Sequence, residues 1–235
     1  MALPKLNNVK YDLYLPGLGK TVQFRPYLVK EEKILMMALE SQDQKQILNA
    51  VVDIIDACVY DDIDVKKLAV FDVELLFITL RSKSVGEGVE VNMKCSECET
   101  ENPVSIALDE INVPEVNNDN KTVMITDNVG ITLRFPSFQD VQKQKPEEMD
   151  TMEGILKLLA ACIETIFDAE EVHDTKDLKQ SEVMAFVEQM NNVQFQSISG
   201  FFNDMPSLKS LVKFKCLSCK HDNEVELRGI QSFFT

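Results

Sequence analysis

The sequence predicts an α+β fold built as a tandem internal duplication, and three observations carry that expectation. Two Cys-x-x-Cys neighbourhoods align without a gap, two alternating apolar runs are each broken by turn residues, and amphipathic helical stretches follow in the same order in each half. Val91-x-Met93-Lys94-Cys95-x-x-Cys98-x-x-x-Asn102-x-Val104-x-Ile106 lies over Val212-x-Phe214-Lys215-Cys216-x-x-Cys219-x-x-x-Asn223-x-Val225-x-Leu227. The valines, lysines, cysteines and asparagines are identical between the two runs, and the remaining matched positions exchange one apolar residue for another.

In the first half, Tyr11, Leu13 and Leu15 alternate, Pro16 to Lys20 turns the chain, and Val22 and Phe24 return, which is a hairpin pattern. Its counterpart has Val123 and Ile125, a turn at Asp127-Asn128-Val129-Gly130, and a return strand through Ile131, Leu133 and Phe135. Pro26 and Pro136 end the two hairpins. Helices follow, with Ile47, Val51, Ile54, Ile55 and Cys58 on one face in the first half and Met152, Ile155, Leu159, Cys162, Ile163 and Ile166 in the second. A further helix in each half is expected to start at the good N-cap types Asp72 and Ser181. It carries Leu75, Phe77 and Ile78, or Met184, Phe186 and Val187, inward. Met36-Met37 reads as core filling, although methionine also suits adaptable partner surfaces. The polar, turn-rich run Val113 to Asn120 separates the halves, giving pseudo-repeats 1–118 and 119–235; the second carries an insertion from Asn191 to Ser210.

Composition narrows the function. A 235-residue chain that is 45% apolar and 27% charged can bury a sizeable core. Its net charge of −15 repels phosphate and anionic headgroups, which disfavours nucleic-acid and membrane-surface binding. No run reaches the ~18 apolar residues of a membrane span, and the N-terminus lacks an apolar signal core. The expected location is the cytosol of the cell that makes it.

Four of the six cysteines form the pairs Cys95/Cys98 and Cys216/Cys219, while Cys58 and Cys162 sit in apolar helical patterns. In a reducing compartment that arrangement favours metal over disulfides. Two thiolates in a hairpin wrap one side of an ion, and two such knuckles complete a tetrahedral four-thiolate sphere, so Cys95, Cys98, Cys216 and Cys219 are expected to share one structural Zn2+ that clamps the halves. The competing readings are two separate redox pairs and metal-free vestigial knuckles. Both pairs lie between β-patterned runs instead of at a helix N-terminus, where a redox thiol would be activated. A closed four-thiolate site leaves no position for substrate. His221, just beyond Cys219, reads as a solvated loop residue.

No catalytic constellation accompanies these cysteines. Gly17-Leu18-Gly19-Lys20-Thr21 ends like a phosphate loop, but Tyr14 stands where the motif needs glycine and a strand follows where it needs a helix. His173 and His221 have no evident nucleophile and orienting partner in the sequence. Candidate contact residues lie where the halves differ: Phe201, Phe202 and Met205 in the insertion, and Phe233 and Phe234 at the C-terminus.

Over about residues 11 to 40 the chain resembles a known family. Leu15-Pro16, Gly19-Lys20, Phe24-Arg25-Pro26-Tyr27 and the run Leu28 to Leu35 are similar to hub-assembly proteins of the baseplate of T-even-type contractile-tailed phages. The resemblance implies a non-enzymatic structural or assembly role in the tail baseplate hub, partners among other hub or tail proteins, and a location in the host cytoplasm during assembly and then in the virion tail baseplate. The alternatives are a zinc-ribbon module binding nucleic acid and a Cys-x-x-Cys thiol oxidoreductase.

Overall fold

The computed structural model describes residues 7–108, 111, 113, 116, 121–145, 147–148, 151–203 and 205–229. The fold is α+β, with helices joined to small antiparallel sheets. Two compact units emerge, and they cut across the order of the chain: Met1–Val65, Phe71–Pro114 and Ser207–Thr235 form the first, Lys66–Val70 and Glu115–Pro206 the second.

The first unit opens with the hairpin β1 (Tyr11–Leu15) and β2 (Lys20–Phe24), paired from Tyr11 opposite Phe24 to Leu15 opposite Lys20. Its turn closes through Gly19, whose φ of 68° favours glycine, and Gly19 N–H donates to the Leu15 carbonyl at 2.8 Å. Helices α1 (Val29–Ser41) and α2 (Gln44–Cys58) follow, then α3 (Val70–Val85). Asp43 caps α2 by accepting from the amides of Lys45 and Gln46. Helix α2 buries Val51, Ile54, Ile55 and Cys58, the face that the 3.6-residue period marks.

Helix α3 starts two residues before the expected cap. Asp72 lies inside its first turn, fully buried, and its carboxylate accepts from the amides of Gly17 at 3.0 Å and Leu18 at 2.8 Å. The turn that ends like a phosphate loop therefore has these two amides bound to a carboxylate of its own chain. Met36 and Met37 are exposed, not core filling, because α1 turns Glu31, Leu35 and Ala38 inward and the two methionines fall off that stripe.

Two further hairpins complete this unit: β3 (Gly88–Lys94) with β4 (Glu101–Ala107), and β9 (Lys209–Lys215) with β10 (Asp222–Arg228). Val91, Met93, Val104 and Ile106 from the first share one core cluster with Val212 and Leu227 from the second and with Leu75 and Ile78 of α3.

The second unit is a four-stranded antiparallel sheet in the order β5-β6-β7-β8 with helices against it. The strands are β5 (Thr122–Met124), β6 (Gly130–Leu133), β7 (Ile163–Phe167) and β8 (Val172–Asp174); the helices are α4 (Phe138–Lys143), α5 (Met152–Cys162), α6 (Gln180–Glu188) and α7 (Asn192–Asn203). Their core gathers Ile131, Leu133, Leu159, Ala160, Ile163, Val183, Val187 and Ile198. Helix α5 stops at Cys162, so Ile163 and Ile166 belong to a strand and not to the expected helix; the run Ile163-Glu164-Thr165-Ile166-Phe167 is β-branched and aromatic, and it pairs with β6. Met152 and Ile155 lie at the exposed start of α5, off the buried face that Leu159 and Cys162 share. Helix α6 begins at Gln180, one residue ahead of Ser181, and is opened by the Glu182 carboxylate accepting from Lys179 N–H at 2.8 Å.

One polar arrangement occurs twice, buried around Arg25 and half-buried around Arg134. After β2, Arg25 N–H donates to the Cys58 carbonyl, while its guanidinium donates to Glu31 at 3.0 Å, to the Ala57 carbonyl at 2.9 Å and to the Pro26 carbonyl at 2.9 Å. After β6, Arg134 N–H donates to the Cys162 carbonyl, while its guanidinium donates to Asp140 at 2.6 Å, to the Ala161 carbonyl at 2.6 Å and to the Phe135 carbonyl at 3.1 Å. Each carboxylate also opens the following helix, Glu31 accepting from Leu28 N–H and Asp140 from Ser137 N–H. One side chain thus ties a strand end, a helix start and a helix end together.

Burial opposes ionisation of Glu31 and Asp140, but the arginines and the helix-start amides outweigh it and hold both carboxyls below the usual range. A depressed folded-state pKa contributes stability that is present above the unfolded-state carboxyl pKa of about 4 and lost as pH falls through the lower folded value. Arg25→Met should cost about 3–5 kcal/mol in denaturant unfolding at pH 7, since Glu31 keeps only the exposed Lys30 ammonium at 3.3 Å and the Ala57 and Pro26 carbonyls lose their donor, and Arg25→Met/Glu31→Leu should recover part of it. The single variant should also lose much of the acid sensitivity that Glu31 confers below about pH 5.

Candidate metal centre

Each knuckle is a loop between paired strands. In the first, Cys95 N–H donates to the Thr100 carbonyl at 3.0 Å and Glu99 N–H to the Cys95 carbonyl at 3.0 Å. The second repeats this, with Cys216 N–H donating to the His221 carbonyl at 2.9 Å and Lys220 N–H to the Cys216 carbonyl at 3.1 Å. The residue after each second cysteine, Glu99 or Lys220, carries a positive φ of 56° or 64°, which bends the loop back so that both thiols of a pair face one point.

The two knuckles lie in the same compact unit, and all four Sγ atoms fall within 4.8 Å of one another. Cys95 Sγ lies 3.6 Å from Cys219 Sγ, and Cys98 Sγ lies 3.6 Å from Cys216 Sγ, so the short distances run between knuckles. Cys95 and Cys216 are buried beneath the loops, while Cys98 and Cys219 are exposed. No other group of three or more such ligand residues occurs among the described residues.

The four thiols influence one another's ionisation. The Cys219 and Ser218 amides hold the Cys216 thiol down to about 6, against its burial. At Cys95 burial disfavours the thiolate, yet the amides of Cys98 and Glu97 with Asn223 outweigh it and lower its pKa. The His221 amide favours the Cys219 thiolate, but Cys98, Cys95 and Cys216 crowd it and push it up to about 12. Four sulfurs this close ionise together only with a counter-charge, and the group could hold a metal ion.

The remaining candidates separate from this cluster. Cys58 and Cys162 end helices α2 and α5, where burial pushes their thiols up to about 11 and about 12. The His221 side chain is exposed and outside the cluster, and His173 is a surface residue of β8 beside Glu171 at 3.6 Å. Phe201 and Phe202 lie on α7, half-buried against the core of the second unit, with Phe201 stacked on Phe135 at 5.2 Å between ring centroids. Met205 is half-buried, and Phe233 and Phe234 lie outside the described residues. No helix among the described residues is long and apolar enough to cross a membrane.

A family model described as T4 bacteriophage base plate protein matches residues 7–235. The chain belongs to that family. No curated protein and no solved structure matches it. The base plate family match extends over both knuckles and both compact units, far beyond the N-terminal stretch that carries the resemblance in the sequence.

Thiol chemistry checks the division of the cysteines. In chelator-treated native protein at pH 8, alkylation should begin in the knuckles, at Cys216, whose thiol is held down to about 6, and at the exposed Cys98, whereas Cys58 and Cys162 should react only on unfolding, as mass spectrometry of the peptides will show.

Proposed function

We propose that this chain is a non-enzymatic structural or assembly component of the phage tail baseplate hub, with zinc held by Cys95, Cys98, Cys216 and Cys219 clamping two knuckles remote in the chain. The observation that carries the reading is the base plate family match over 7–235 in a chain whose one cluster of metal-ligand residues, among those described, is a closed set of four thiols. A closed sphere holds a fold together and leaves no coordination site for a substrate. The net charge of −15 supports protein partners over nucleic acid. On this reading the chain works in the host cytoplasm during assembly and in the tail baseplate of the virion.

Duplication is part of the proposal. It is supported by the repeated Arg25 and Arg134 arrangements, by the matched knuckle loops, and by Val59, which bridges antiparallel to Phe24 after α2 as Ile163 pairs with Leu133 after α5. The pseudo-repeats 1–118 and 119–235 are then units of ancestry, while the compact units are units of packing. The contact surface is assigned to regions where the copies differ: Phe201, Phe202 and Met205, with Phe233 and Phe234, against other hub or tail proteins.

Elemental analysis should find one zinc per chain, and zero or two would overturn the shared clamp. Cys216→Ser should destabilise the first unit by several kcal/mol, since structural zinc sites supply on the order of 10 kcal/mol of apparent binding energy. Mass spectrometry of baseplates and their assembly intermediates should find the chain in at least one of them; its absence from all would overturn the assembly role.

A further inference from the structure

We propose that Asn102 and Asn223 are the positioning residues of the four-cysteine centre, each reaching from its own knuckle to fix the loop of the other. The inference rests on reading the cluster as a metal centre, and it assigns to side chains of β4 and β10 the step that makes two loops into one site.

The hydrogen bonds are reciprocal. Asn102, opposite Met93 in its hairpin, donates through Nδ2 to the Thr100 carbonyl of its own loop at 2.7 Å and accepts through Oδ1 from Leu217 N–H of the other loop at 2.8 Å. Asn223, opposite Phe214, donates through Nδ2 to the His221 carbonyl of its own loop at 3.1 Å and accepts through Oδ1 from Ser96 N–H at 2.9 Å. Ser96 and Leu217 each directly follow the first cysteine of a pair. The amide that each asparagine captures therefore sits between the two ligands of the opposite knuckle, where its orientation sets the direction of both thiols.

Chemistry explains the residue type. The position needs a donor for its own loop and an acceptor for the opposite one, on a stem short enough to stay between the hairpins; asparagine supplies both from one amide group. Aspartate keeps the acceptor, loses the donor and brings a negative charge toward four sulfurs. Both side chains are buried, at 2% and 6% exposure, so an unmade bond here is not replaced by bulk water. Direct loop-to-loop bonding thus joins the two knuckles independently of the sulfur atoms themselves.

The two sides are unequal. Asn223 Oδ1 also accepts from Ser96 Oγ at 3.0 Å, and its Nδ2 lies 3.5 Å from Cys95 Sγ as a donor to a ligand atom. Leu217 has no hydroxyl to match Ser96, and Asn102 Nδ2 turns to the Met93 carbonyl at 3.4 Å instead. Asn223 therefore carries more of the positioning.

The test is Co2+ titration of the full chain, followed by Zn2+ competition against a chromophoric chelator. Wild type should bind one ion with the visible spectrum of a tetrahedral four-thiolate site. Asn223→Ala should bind 10–100-fold more weakly with altered ligand-field bands, and Asn102→Ala should be weakened less, within the range that outer-shell partners of metal ligands show. Val104→Ala, a truncation in the same core, controls for lost packing: it should lower the melting temperature with the Co2+ spectrum unchanged. If Asn223→Ala does not fold, Asn223→Asp serves, and it should still be weakened because the donor is gone. Asparagine variants with wild-type affinity and spectrum would overturn the positioning role and leave the centre standing. A wild-type chain that binds no ion would overturn the centre itself, and two ions per chain would overturn the shared site.

Discussion

The first unit depends on two hairpins, distant in the chain, burying their apolar faces in one core. Val91, Met93, Val104 and Ile106 have no adequate cover in a two-stranded hairpin, and neither do Val212 and Leu227. An isolated two-stranded hairpin is marginal at best in water, so neither knuckle is expected to hold its loop geometry alone. Their shared core places the loops side by side, the asparagine bonds join them, and the four sulfurs lie at that junction. Hairpin packing, loop-to-loop hydrogen bonds and the four-sulfur cluster thus occur together in one unit.

A second constraint is the end of each N-terminal hairpin in the proposed repeats. Chain leaving β2 or β6 must enter a helix and later meet the end of another, and helix ends carry unpaired backbone groups. Arg25 and Arg134 resolve this with one planar guanidinium that bonds a carboxylate at a helix start and a carbonyl near a helix end. Lysine, a single point charge, has no such fork. The two otherwise dissimilar segments share this solution: the same Arg, the same six-residue step to Glu31 or Asp140, and a cysteine whose carbonyl accepts the arginine backbone N–H.

Much of this was legible in the sequence, and the failures have physical causes. The hairpins, the buried face of α2, the knuckle loops and the four-cysteine set follow from period-2 and period-3.6 patterns and from spacing. The helix assigned through Ile166 failed because apolar spacing alone does not separate the last turn of a helix from a following strand; the β-branched composition of Ile163 to Phe167 was the available signal. Asp72 was read as a cap because its residue type fits one, but its partners are the amides of Gly17 and Leu18, and no local pattern announces a bond across more than fifty residues. The paired asparagines stood in the aligned motif as identities without a role. Their work is done across the two hairpins, a relation that appears only when the loops meet.

The same geometry bears on how the second half can carry additional chain. Residues between the knuckles form one excursion whose ends are held at β4 and β9, and closing such a loop costs an entropy that grows only logarithmically with its length. Doubling the loop adds only about 0.6 kcal/mol. Helix α7, which lies in the stretch that distinguishes the second half, therefore lengthens the excursion at little cost to knuckle closure, and it buries Ile198 in the core of its own unit. A junction anchored by the packing of hairpins, with a proposed ion at its centre, tolerates growth between its anchor points far better than change at Cys95, Asn102, Cys216 or Asn223. The inserted stretch Asn191 to Ser210 accordingly lies in the excursion, whereas the two knuckles, different at most other positions, share their cysteines, the preceding lysine, the asparagine and the flanking valines.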